Sequence, residues 1–397
     1  MTLINNNLPS SARRFTPPPQ KKYLMPQDRR LAEEVQRIFL EVFKLNEPES
    51  TSLINFLQTA ACYDPQSYYV PSRTTKLSRS IEVICNEQKE IDHVFVLFNK
   101  QSKNDRLIGQ GATKTVKLAV DILSGRIYAL LSFSYSKTDE KMKTAYMEEI
   151  ALIKSIFSKK SPVRFCGHNT HASNKKFYFE KLHVYQELFD TDLSSLINKA
   201  LLDFEEKRAC AIQLLGQLSY LHRKKVVHRD IKPCNILVRT EDDKKHFYIT
   251  DFGLSFKLEE TPKRLLAGGS LNWIAPELLL SSKTVNEVYK NNTRFIDIWS
   301  MGLVLAYLFQ AELGPINQSI LYNFAQADTK FFWRNFPKEQ KELFVTEAAT
   351  SSIERIICEM CQINPLKRIS SHRAHCEFQI HVPKKAPAFT KRRNSIT

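Results

Sequence analysis

The stretch VVHRDIKPCNILV runs from Val226 to Val238, and two further segments follow it, YITDFGLS from Tyr248 and WIAPE from Trp273. Each segment alone could arise by chance. Their order and spacing within one chain are too specific for chance, so these segments decide how the rest of the 397-residue sequence is interpreted. Asp, Asn and Lys side chains recur in them, and these residue types bind divalent cations and phosphate groups.

In this order the segments resemble the motifs of the eukaryotic-type protein kinase family, and the resemblance covers roughly residues 100 to 380. It implies an α+β fold with two lobes, a β-rich small lobe followed by an α-rich large lobe. The activity that it implies is transfer of the γ-phosphate of ATP to protein hydroxyl groups. Lys232, in the HRDIKPxN segment, is typical of serine/threonine kinases rather than tyrosine kinases.

The resemblance implies roles in phosphoryl transfer for four residues of these segments. Asp230 would orient the substrate hydroxyl and accept its proton, and Lys232 would neutralise the transferred phosphate. Asn235 and Asp251 would supply oxygen ligands for Mg²⁺, with Mn²⁺ as an alternative cation. The implied cofactors are therefore ATP and a divalent cation, and the implied partner is a protein substrate.

Other matched positions imply scaffold and substrate-docking roles. Ser270, before LNWIAPE, stands where the substrate-docking segment of the family usually has a threonine. Glu277 would pair with Arg368, and Asp297 of DIWSMG would hold the backbone of the loop that carries Asp230. These scaffold charges are expected to be buried.

The segments before residue 193 match the nucleotide site of the family. In MEEIALIKSI, Glu149 matches the glutamate that pairs with a lysine. The connector VYQELFDTDLSSL matches the hinge, with Gln186 in the gatekeeper place and the backbone of Glu187 and Phe189 toward the adenine. The other residues predicted to contact the nucleotide are Ile108, Gly109, Gly111, Val116, Ala129 and, near the ribose, Asp192.

One position departs from the family pattern. The third strand of the family reads V-A-I-K, but the matching segment here is YALL, which places Leu131 where the phosphate-binding lysine belongs. Loss of one such donor commonly costs about 10²- to 10³-fold in rate. Taken alone, this substitution predicts a catalytically inactive pseudokinase.

The glycine-rich segment LIGQGATKTVKLAV, from Leu107 to Val120, offers a replacement lysine. Residues two apart on a strand point to the same face, so Lys114 is predicted to share the nucleotide-facing side with Val116, whereas Lys117 is not. The segment GQGATKTV resembles the G-x-G-x-x-K-T-V loop of the with-no-lysine kinases, which make the same exchange. This second resemblance implies that Lys114 replaces the strand lysine.

Two functional hypotheses follow. The first is an active serine/threonine kinase, because Asp230, Asn235, Asp251 and Glu149 are all of the type that catalysis needs. The alternative is a catalytically inactive scaffold that binds partners through its N-terminal element and basic tails. Substitution of Lys114 distinguishes the two, because only an active enzyme would lose its function.

Composition and periodicity divide the chain into segments. An Asn-, Ser- and Pro-rich basic start precedes an amphipathic helical pattern from Asp28 and two strand-like runs, SIEVIC and HVFVLF. The predicted units are a disordered basic arm at 1–25, an accessory helical element with a strand pair at 26–92, a protein kinase domain at 93–380 (small lobe 93–187, large lobe 188–380) and a basic tail at 381–397.

The formal net charge is +16, and residues 1–30 and 381–397 each contribute +5 of it. Such tails predict an acidic protein or an anionic lipid surface as a partner, with merely solvated ends as the alternative. A specific nucleic-acid partner is not expected, because that prediction would rest on charge alone.

The sequence also carries a prediction about location. No apolar run reaches the roughly 18 residues of a membrane span, so no transmembrane segment is expected. The first residues show no secretory signal. We therefore expect a cytoplasmic or otherwise soluble intracellular protein, either a host-cell kinase or a bacterial one, including a bacterial kinase delivered into a host cell.

Eight cysteines, mostly in apolar runs, indicate a reducing compartment rather than a disulfide framework. Cys358 and Cys361 form a C-x-x-C that precedes His372, His375 and Cys376, so zinc binding is an alternative. The preferred interpretation is that RIICEMC forms an amphipathic helix whose sulfurs pack in the core.

Thr261, in EETPKR, is the predicted phosphorylation site of the activation segment, because it lies mid-loop between Asp251 and Glu277. In the family, the arginine matched by Arg229 often binds such a phosphate. Ser395, which follows basic residues of the tail, is a second candidate, with an unmodified disordered end as the alternative.

Overall fold

Strands dominate the first half of the described chain and helices dominate the second half. In the computed structural model, the described residues are 68–70, 79–85, 91–98, 107–110, 114–121, 126–136, 140–156, 165–172, 179–258, 269–280, 293–327 and 343–383. The predicted basic arm, the predicted helix after Asp28, Gly111, Thr261 and the tail beyond residue 383 lie outside them. The part up to residue 187 is strand-rich and the part from residue 193 is helix-rich, which agrees with the predicted α+β class.

The strand-rich part is built around one eight-stranded sheet. Its strands are β1 Tyr68–Val70, β2 Arg79–Cys85, β3 Ile91–Phe98, β4 Leu107–Gln110, β5 Lys114–Asp121, β6 Ile127–Ser136, β7 Phe165–Ala172 and β8 Phe179–Glu187. They pair antiparallel in the order β1-β2-β3-β5-β6-β8-β7, and β4 pairs with β5. Aromatic and branched residues are frequent in them, as in IYALLSFSYS of β6, and such residues pack well on a pleated surface.

Strands β3 and β4 share one edge of β5. β4 pairs with the first half of β5, where Gly109 lies beside Val116, and β3 pairs with the second half, where Leu97 lies beside Ala119. The runs SIEVIC and HVFVLF, predicted as strands, form most of β2 and β3. The predicted boundary between residues 92 and 93 falls inside β3, so the N-terminal strand pair is an integral part of this sheet.

The two faces of the sheet pack against different partners, because alternate residues of a strand point to opposite faces. Helix α1, Glu140–Ile156, covers one face through Tyr146 and Ile150, which pack with Phe133 and Val184. The apolar cluster of the opposite face is formed by Ile84, Phe95, Ala119, Tyr128, Leu130 and Tyr185. Strands β2 and β3 therefore supply apolar side chains to the face that α1 does not cover.

The helix-rich part combines further helices with two small sheets. Its helices are α2 Leu193–Asn198, α3 Phe204–Arg223, α4 Pro276–Leu280, α5 Phe295–Leu308, α6 Pro315–Gln326, α7 Ser352–Met360 and α8 Ser371–His381. Its strands are β9 Thr191–Asp192, β10 Val226–Val227, β11 Ile236–Glu241, β12 Lys244–Ile249 and β13 Phe256–Lys257. They pair as β12-β11-β9 and as β10-β13. Single 3₁₀ turns lie at Pro233–Asn235, Gln310–Glu312, Thr346–Ala348 and Pro365–Lys367.

Helix α5 lies at the centre of the helix-rich core. Its sequence FIDIWSMGLVLAYL is apolar on nearly all sides, and 12 of its 14 residues are buried. A helix of this kind must be enclosed by other elements, and α5 contacts both α3 and α7. Among the helices that the structure describes, none is long and apolar enough to cross a membrane.

Helix α3 connects this core to the loops of the site. Its N-terminus is closed by a capping box between Asp203 and Glu206. Further along, the Gln217 side chain accepts a hydrogen bond from the backbone N–H of Ile249 at 3.0 Å and donates one to the carbonyl oxygen of Phe247 at 2.6 Å. These bonds fix β12 on α3, and β12 leads directly into the DFG segment.

The two cysteines of the C-x-x-C lie in the apolar core. Cys358 is 1% exposed and Cys361 is fully buried. Burial raises the pKa of the Cys361 thiol, and its sulfur lies 4.0 Å from the carbonyl oxygen of Trp299 in α5. Both sulfurs therefore pack as small core groups between helices, in agreement with the preferred interpretation of RIICEMC.

Close packing between α5 and α7 makes Gly302 intolerant of a larger side chain. A methyl group at Gly302 would lie 2.6 Å from the sulfur of Cys361 and 2.9 Å from Cβ of Met360. We expect Gly302→Ala to lower the free energy of unfolding by about 1–3 kcal/mol, because overpacking outweighs the better helix propensity of alanine. Urea denaturation followed by circular dichroism measures the change.

Gly216→Ala in α3 is the matched control. There the nearest atom to an added methyl group is Nε2 of the His375 ring, at 3.2 Å, and this ring can shift slightly. Alanine gains roughly 1 kcal/mol over glycine inside a helix, so this variant should be at least as stable as the wild type. Equal losses of stability in the two variants would contradict the packing explanation.

Candidate functional site

A buried carboxylate fixes the backbone of the HRD loop. Asp297 of α5 is fully buried, and its two oxygens accept hydrogen bonds from the backbone N–H groups of His228 and Arg229, each at 2.8 Å. Arg229 has a φ of 70°, in the left-handed region that non-glycine residues rarely adopt. The predicted role of Asp297 is confirmed, and this fixed loop carries Asp230.

His228 joins the HRD loop to the DFG segment. Its Nε2 lies 3.1 Å from the carbonyl oxygen of Thr250, so this nitrogen carries the hydrogen and donates a hydrogen bond to that oxygen. Its ring packs edge-on against Phe252, with the ring centroids 4.9 Å apart. Burial lowers the pKa of His228 despite the nearby carboxylates, which favours a neutral ring.

Asp230 is held by three side chains, which between them contact both of its carboxylate oxygens. Lys232 Nζ donates to Oδ2 at 2.6 Å, and Asn235 Nδ2 donates to the same oxygen at 2.9 Å. The hydroxyl of Ser270 donates to Oδ1 at 2.9 Å, and its backbone N–H donates there at 3.1 Å. Lys232 also contacts the Ser270 hydroxyl at 2.6 Å. The structure therefore brings Asp230, Lys232, Asn235 and Ser270 into one hydrogen-bonded group.

The predicted pair between Glu277 and Arg368 is present. The guanidinium of Arg368 contacts both carboxylate oxygens of Glu277, at 2.6 and 2.7 Å, and the arginine side chain is fully buried. Such a two-point contact is the strong form of an Arg–carboxylate pair. It anchors α4, and with it the end of the segment that contains Ser270.

Lys114 reaches the DFG segment from strand β5. Its Nζ donates to Oδ1 of Asp251 at 2.5 Å. In the pairing of β5 with β6, Lys114 lies opposite Phe133 and Val116 lies opposite Leu131, so these four residues share one face of the sheet. The Lys114 ammonium also lies 6.0 Å from the centre of the Phe133 ring.

Leu131 stands at the position where the kinase family has its strand lysine, and its side chain is apolar. It is partly buried and packs against the cluster that Phe133 and Ile150 form under α1. Lys117 pairs with Leu130, which belongs to the opposite face of the sheet. The prediction that Lys114, and not Lys117, shares the face of Val116 is therefore confirmed by the strand register.

Glu149 and Asp251 form an acidic pair beside the single ammonium of Lys114. The carboxylate of Glu149 lies over Gly253, whose position for a Cβ would be 3.4 Å from Oε2. Burial raises the pKa of Glu149 to about 7; Lys114 opposes this shift and Asp251 adds to it. Burial also acts to raise the pKa of Asp251, but the charge and hydrogen bond of Lys114 outweigh it, so that this pKa is lowered.

The predicted hinge lies at the end of β8. Gln186 pairs with Ala129 on β6, so the two residues predicted to contact the nucleotide are neighbours in the sheet. Glu187 forms an ion pair with Arg239 of β11, and the Arg239 guanidinium lies 4.9 Å from the centre of the Phe189 ring. The hinge is therefore held by β11, a contact that the sequence did not reveal because an isolated arginine within a strand carries no local signal.

Asp192 has a structural contact that was not predicted. Its carboxylate accepts hydrogen bonds from the backbone N–H of Ser195 at 3.1 Å and from the Ser195 hydroxyl at 3.2 Å, which makes it the N-cap of α2. The sequence DLSS after a strand carried this capping signal. Its proposed proximity to the ribose stays a prediction. Of the remaining predicted nucleotide contacts, Ile108 and Gly109 lie in β4.

Comparison with known proteins identifies this arrangement. The protein kinase domain family matches residues 102–378. The serine/threonine-protein kinase cds1 of Schizosaccharomyces pombe is 31% identical over 276 residues, which cover 68% of this chain and 56% of that protein. Mitogen-activated protein kinase 5 of Arabidopsis thaliana is 28% identical, with 72% and 78% covered. The cell division control protein 2 homolog 3 of Trypanosoma brucei brucei is 27% identical, with 70% and 90% covered.

These matches differ in how much of each relative they include. The chain spans about half the length of cds1 and of the calcium-dependent protein kinases 4 of two Plasmodium species, with 56%, 47% and 40% of those proteins covered. The matched residues include every motif described above, from the glycine-rich segment to Arg368. Because the family match covers well over half of its length, the chain belongs to the protein kinase family.

Proposed function

We propose that this chain is a serine/threonine protein kinase that uses ATP and Mg²⁺, and that Lys114 makes the phosphate contact that Leu131 cannot make. The observation that carries this proposal is the 2.5 Å contact between Lys114 Nζ and Asp251 Oδ1. Because Asp251 matches the metal-binding aspartate of the family, a lysine at this carboxylate lies where nucleotide phosphates would be bound.

The donor set of the site fits a hard divalent cation. Asn235 uses its amide nitrogen to donate to the backbone oxygen and to Oδ2 of Asp230, both at 2.9 Å, so its carbonyl oxygen is the atom that can ligate a cation. Asp251 adds a carboxylate whose pKa is lowered beside Lys114, which keeps it ionised. When bound, ATP with Mg²⁺ supplies the phosphoryl group and neutralises part of its charge. Mn²⁺ is proposed as an alternative cation on the same ligands.

Asp230 and Lys232 would act on the acceptor hydroxyl. In the structure, Asp230 Oδ1 accepts a hydrogen bond from the Ser270 hydroxyl at 2.9 Å. This contact supports the proposed role, because accepting a hydrogen bond from a hydroxyl group is the interaction needed to orient a substrate. Lys232 lies 2.6 Å from the other oxygen of Asp230 and would offset negative charge on the transferred group.

Glu149 would position Lys114. It lies beside Asp251 and Gly253. The positive charge of Lys114 lowers the pKa of Glu149, against the effect of burial. In the family the matched glutamate holds a lysine on the neighbouring strand. Here we propose the same pairing with a lysine that enters from β5.

The catalytically inactive scaffold is the competing proposal. The apolar packing of Leu131 is the observation that favours it, because this position offers no donor to a phosphate. The proposed acidic or anionic lipid partners concern the basic tails, nearly all of whose residues lie outside the described structure. The proposed intracellular location rests on the sequence alone. These stay predictions for either function.

Substitution of Lys114 tests the proposal. We expect wild-type protein with labelled ATP and Mg²⁺ to phosphorylate itself and a generic basic protein. Lys114→Met and Asp230→Ala should each reduce this transfer by about 10²-fold or more, because each removes a group that stabilises developing charge or orients the acceptor. Lys117→Met is the matched control on the same strand and should keep near wild-type transfer.

A double variant tests whether Lys114 takes the role of the lysine that is missing at position 131. Because Lys114 and Leu131 share one face of the sheet, Lys114→Met combined with Leu131→Lys should recover part of the activity that Lys114→Met loses. Wild-type protein that transfers no phosphate under these conditions would support the scaffold instead. Active Lys114→Met protein would show that Lys114 does not replace the missing strand lysine.

Stability at different pH values tests the electrostatics of Glu149. Its folded pKa of about 7 exceeds the usual 4.5, so ionisation destabilises the folded state, with the cost growing from pH 4.5 to about pH 7. Glu149→Gln should therefore gain about 1–3 kcal/mol of unfolding free energy over the wild type at pH 8 and little at pH 5. Its kinase activity should fall. Urea denaturation at both pH values measures this, and an equal difference at pH 5 and pH 8 would contradict it.

A further inference from the structure

Strands β2 and β3 belong to the sheet of the proposed nucleotide site and supply apolar side chains to one of its faces, although they lie before residue 102, where the family match begins. Phe95 of β3 stacks on Tyr185 of β8, with ring centroids 4.0 Å apart and planes 2° from parallel. Both rings are fully buried. β2 also contacts β7, which lies near the other end of the sheet. These strands therefore pack across the sheet rather than only extending its edge.

A buried carboxylate joins the same elements. Glu82 of β2 is 1% exposed, and its oxygens accept hydrogen bonds from Tyr185 Oη at 2.5 Å and from His183 Nδ1 at 2.6 Å. Burial, with the charge of Glu82, raises the pKa of Tyr185, so the phenol keeps the proton that it donates. A buried charge without such partners would be strongly destabilising. The buried position of Glu82 in β2 therefore depends on its hydrogen bonds to β8.

The partners of Glu82 lie directly before the hinge. Tyr185 precedes Gln186, and side chains of β8 alternate, so Tyr185 and Glu187 point away from the nucleotide face that Gln186 occupies. Glu82 holds the first of these outward residues and Arg239 holds the second. The backbone of the hinge is thus held on both sides of Gln186.

A second buried contact joins β3 to the sheet at a different place. Asp121, at the end of β5, is 1% exposed, and its Oδ2 lies 3.1 Å from Nδ1 of His93. This pair resembles the Glu82 contact in burial and in chemistry. This pair contacts β5 and not β8. Substitution of Asp121 therefore shows what the loss of a buried pair does to stability when the contact with the hinge strand is kept.

We infer that Glu82 is a positioning residue for the nucleotide site, acting through Tyr185 on the hinge backbone at Gln186 and Glu187. This inference rests on the proposed function, because it needs the hinge to bind the adenine of ATP. Residues outside the matched kinase segment thereby contribute to ATP affinity without touching the nucleotide. A small displacement of hinge donors is costly because binding depends on their geometry.

The test compares variants of the full chain. Glu82→Met removes both hydrogen bonds at similar size, whereas Glu82→Gln keeps an acceptor for Tyr185 and is the conservative control. Asp121→Leu, which also replaces a buried carboxylate by an apolar side chain, is the matched control at the other buried pair. For each, we would measure kcat and KM for ATP in phosphate transfer, the Kd of a fluorescent ADP analogue with Mg²⁺, and the free energy of unfolding in urea.

Glu82→Met should raise both KM for ATP and the Kd of the analogue by about three- to tenfold, with kcat changed less than about twofold. Glu82→Gln should stay close to the wild type. Asp121→Leu should lose stability with an unchanged KM. Tyr185→Phe, which keeps the stacked ring and removes only the hydroxyl, should raise KM in the same direction if Glu82→Met does not fold.

Two results would overturn the inference. If Glu82→Met and Tyr185→Phe leave KM and Kd at the wild-type values while stability falls, Glu82 is structural only and the proposed kinase function stands. If the wild type neither transfers phosphate nor binds the analogue, the proposed function fails and the inference fails with it. The wild-type measurements therefore distinguish the two failures.

Discussion

One ammonium group facing two carboxylates sets the electrostatics of the site. Lys114 contacts Asp251 at 2.5 Å and lowers its pKa, whereas burial raises the pKa of Glu149 to about 7. Because the ammonium of Lys114 donates its hydrogen bond to Asp251, it stabilises the anion of Asp251 more than the anion of Glu149. The strand-rich part supplies the cation and the helix-rich part supplies Asp251, so this interaction also joins the two parts of the fold.

Much of the site could be predicted because its residues follow local rules. The HRD and DFG segments specify their own loops, and the two-residue period of a strand was sufficient to place Lys114 on the face of Val116. The contact between Glu277 and Arg368 also followed from matched motifs. The α+β class followed from the resemblance of these segments to the kinase motifs, and the described strands and helices agree with it.

What could not be predicted depends on contacts between distant residues. Glu82 meets Tyr185 across 103 positions, and Arg239 meets Glu187 across 52, and neither pair leaves a pattern in its own neighbourhood. Asp192 was assigned to the ribose because of its place after the hinge, while its capping contact with Ser195 competes for the same carboxylate. The predicted boundary between residues 92 and 93 lies within β3, because the pairing of this strand with both β2 and β5 leaves no local pattern in the sequence.

The shared edge of β5 has a consequence for handling the protein. β3 takes the hydrogen bonds of residues 119–121, which lie beyond the part of the edge that β4 covers. An uncovered strand edge is a template for pairing with other chains. A recombinant fragment that began at residue 102 would expose this edge together with the ring of Tyr185. Such a fragment would be prone to self-association, so the colloidal behaviour of the kinase domain depends on residues that its family match does not include.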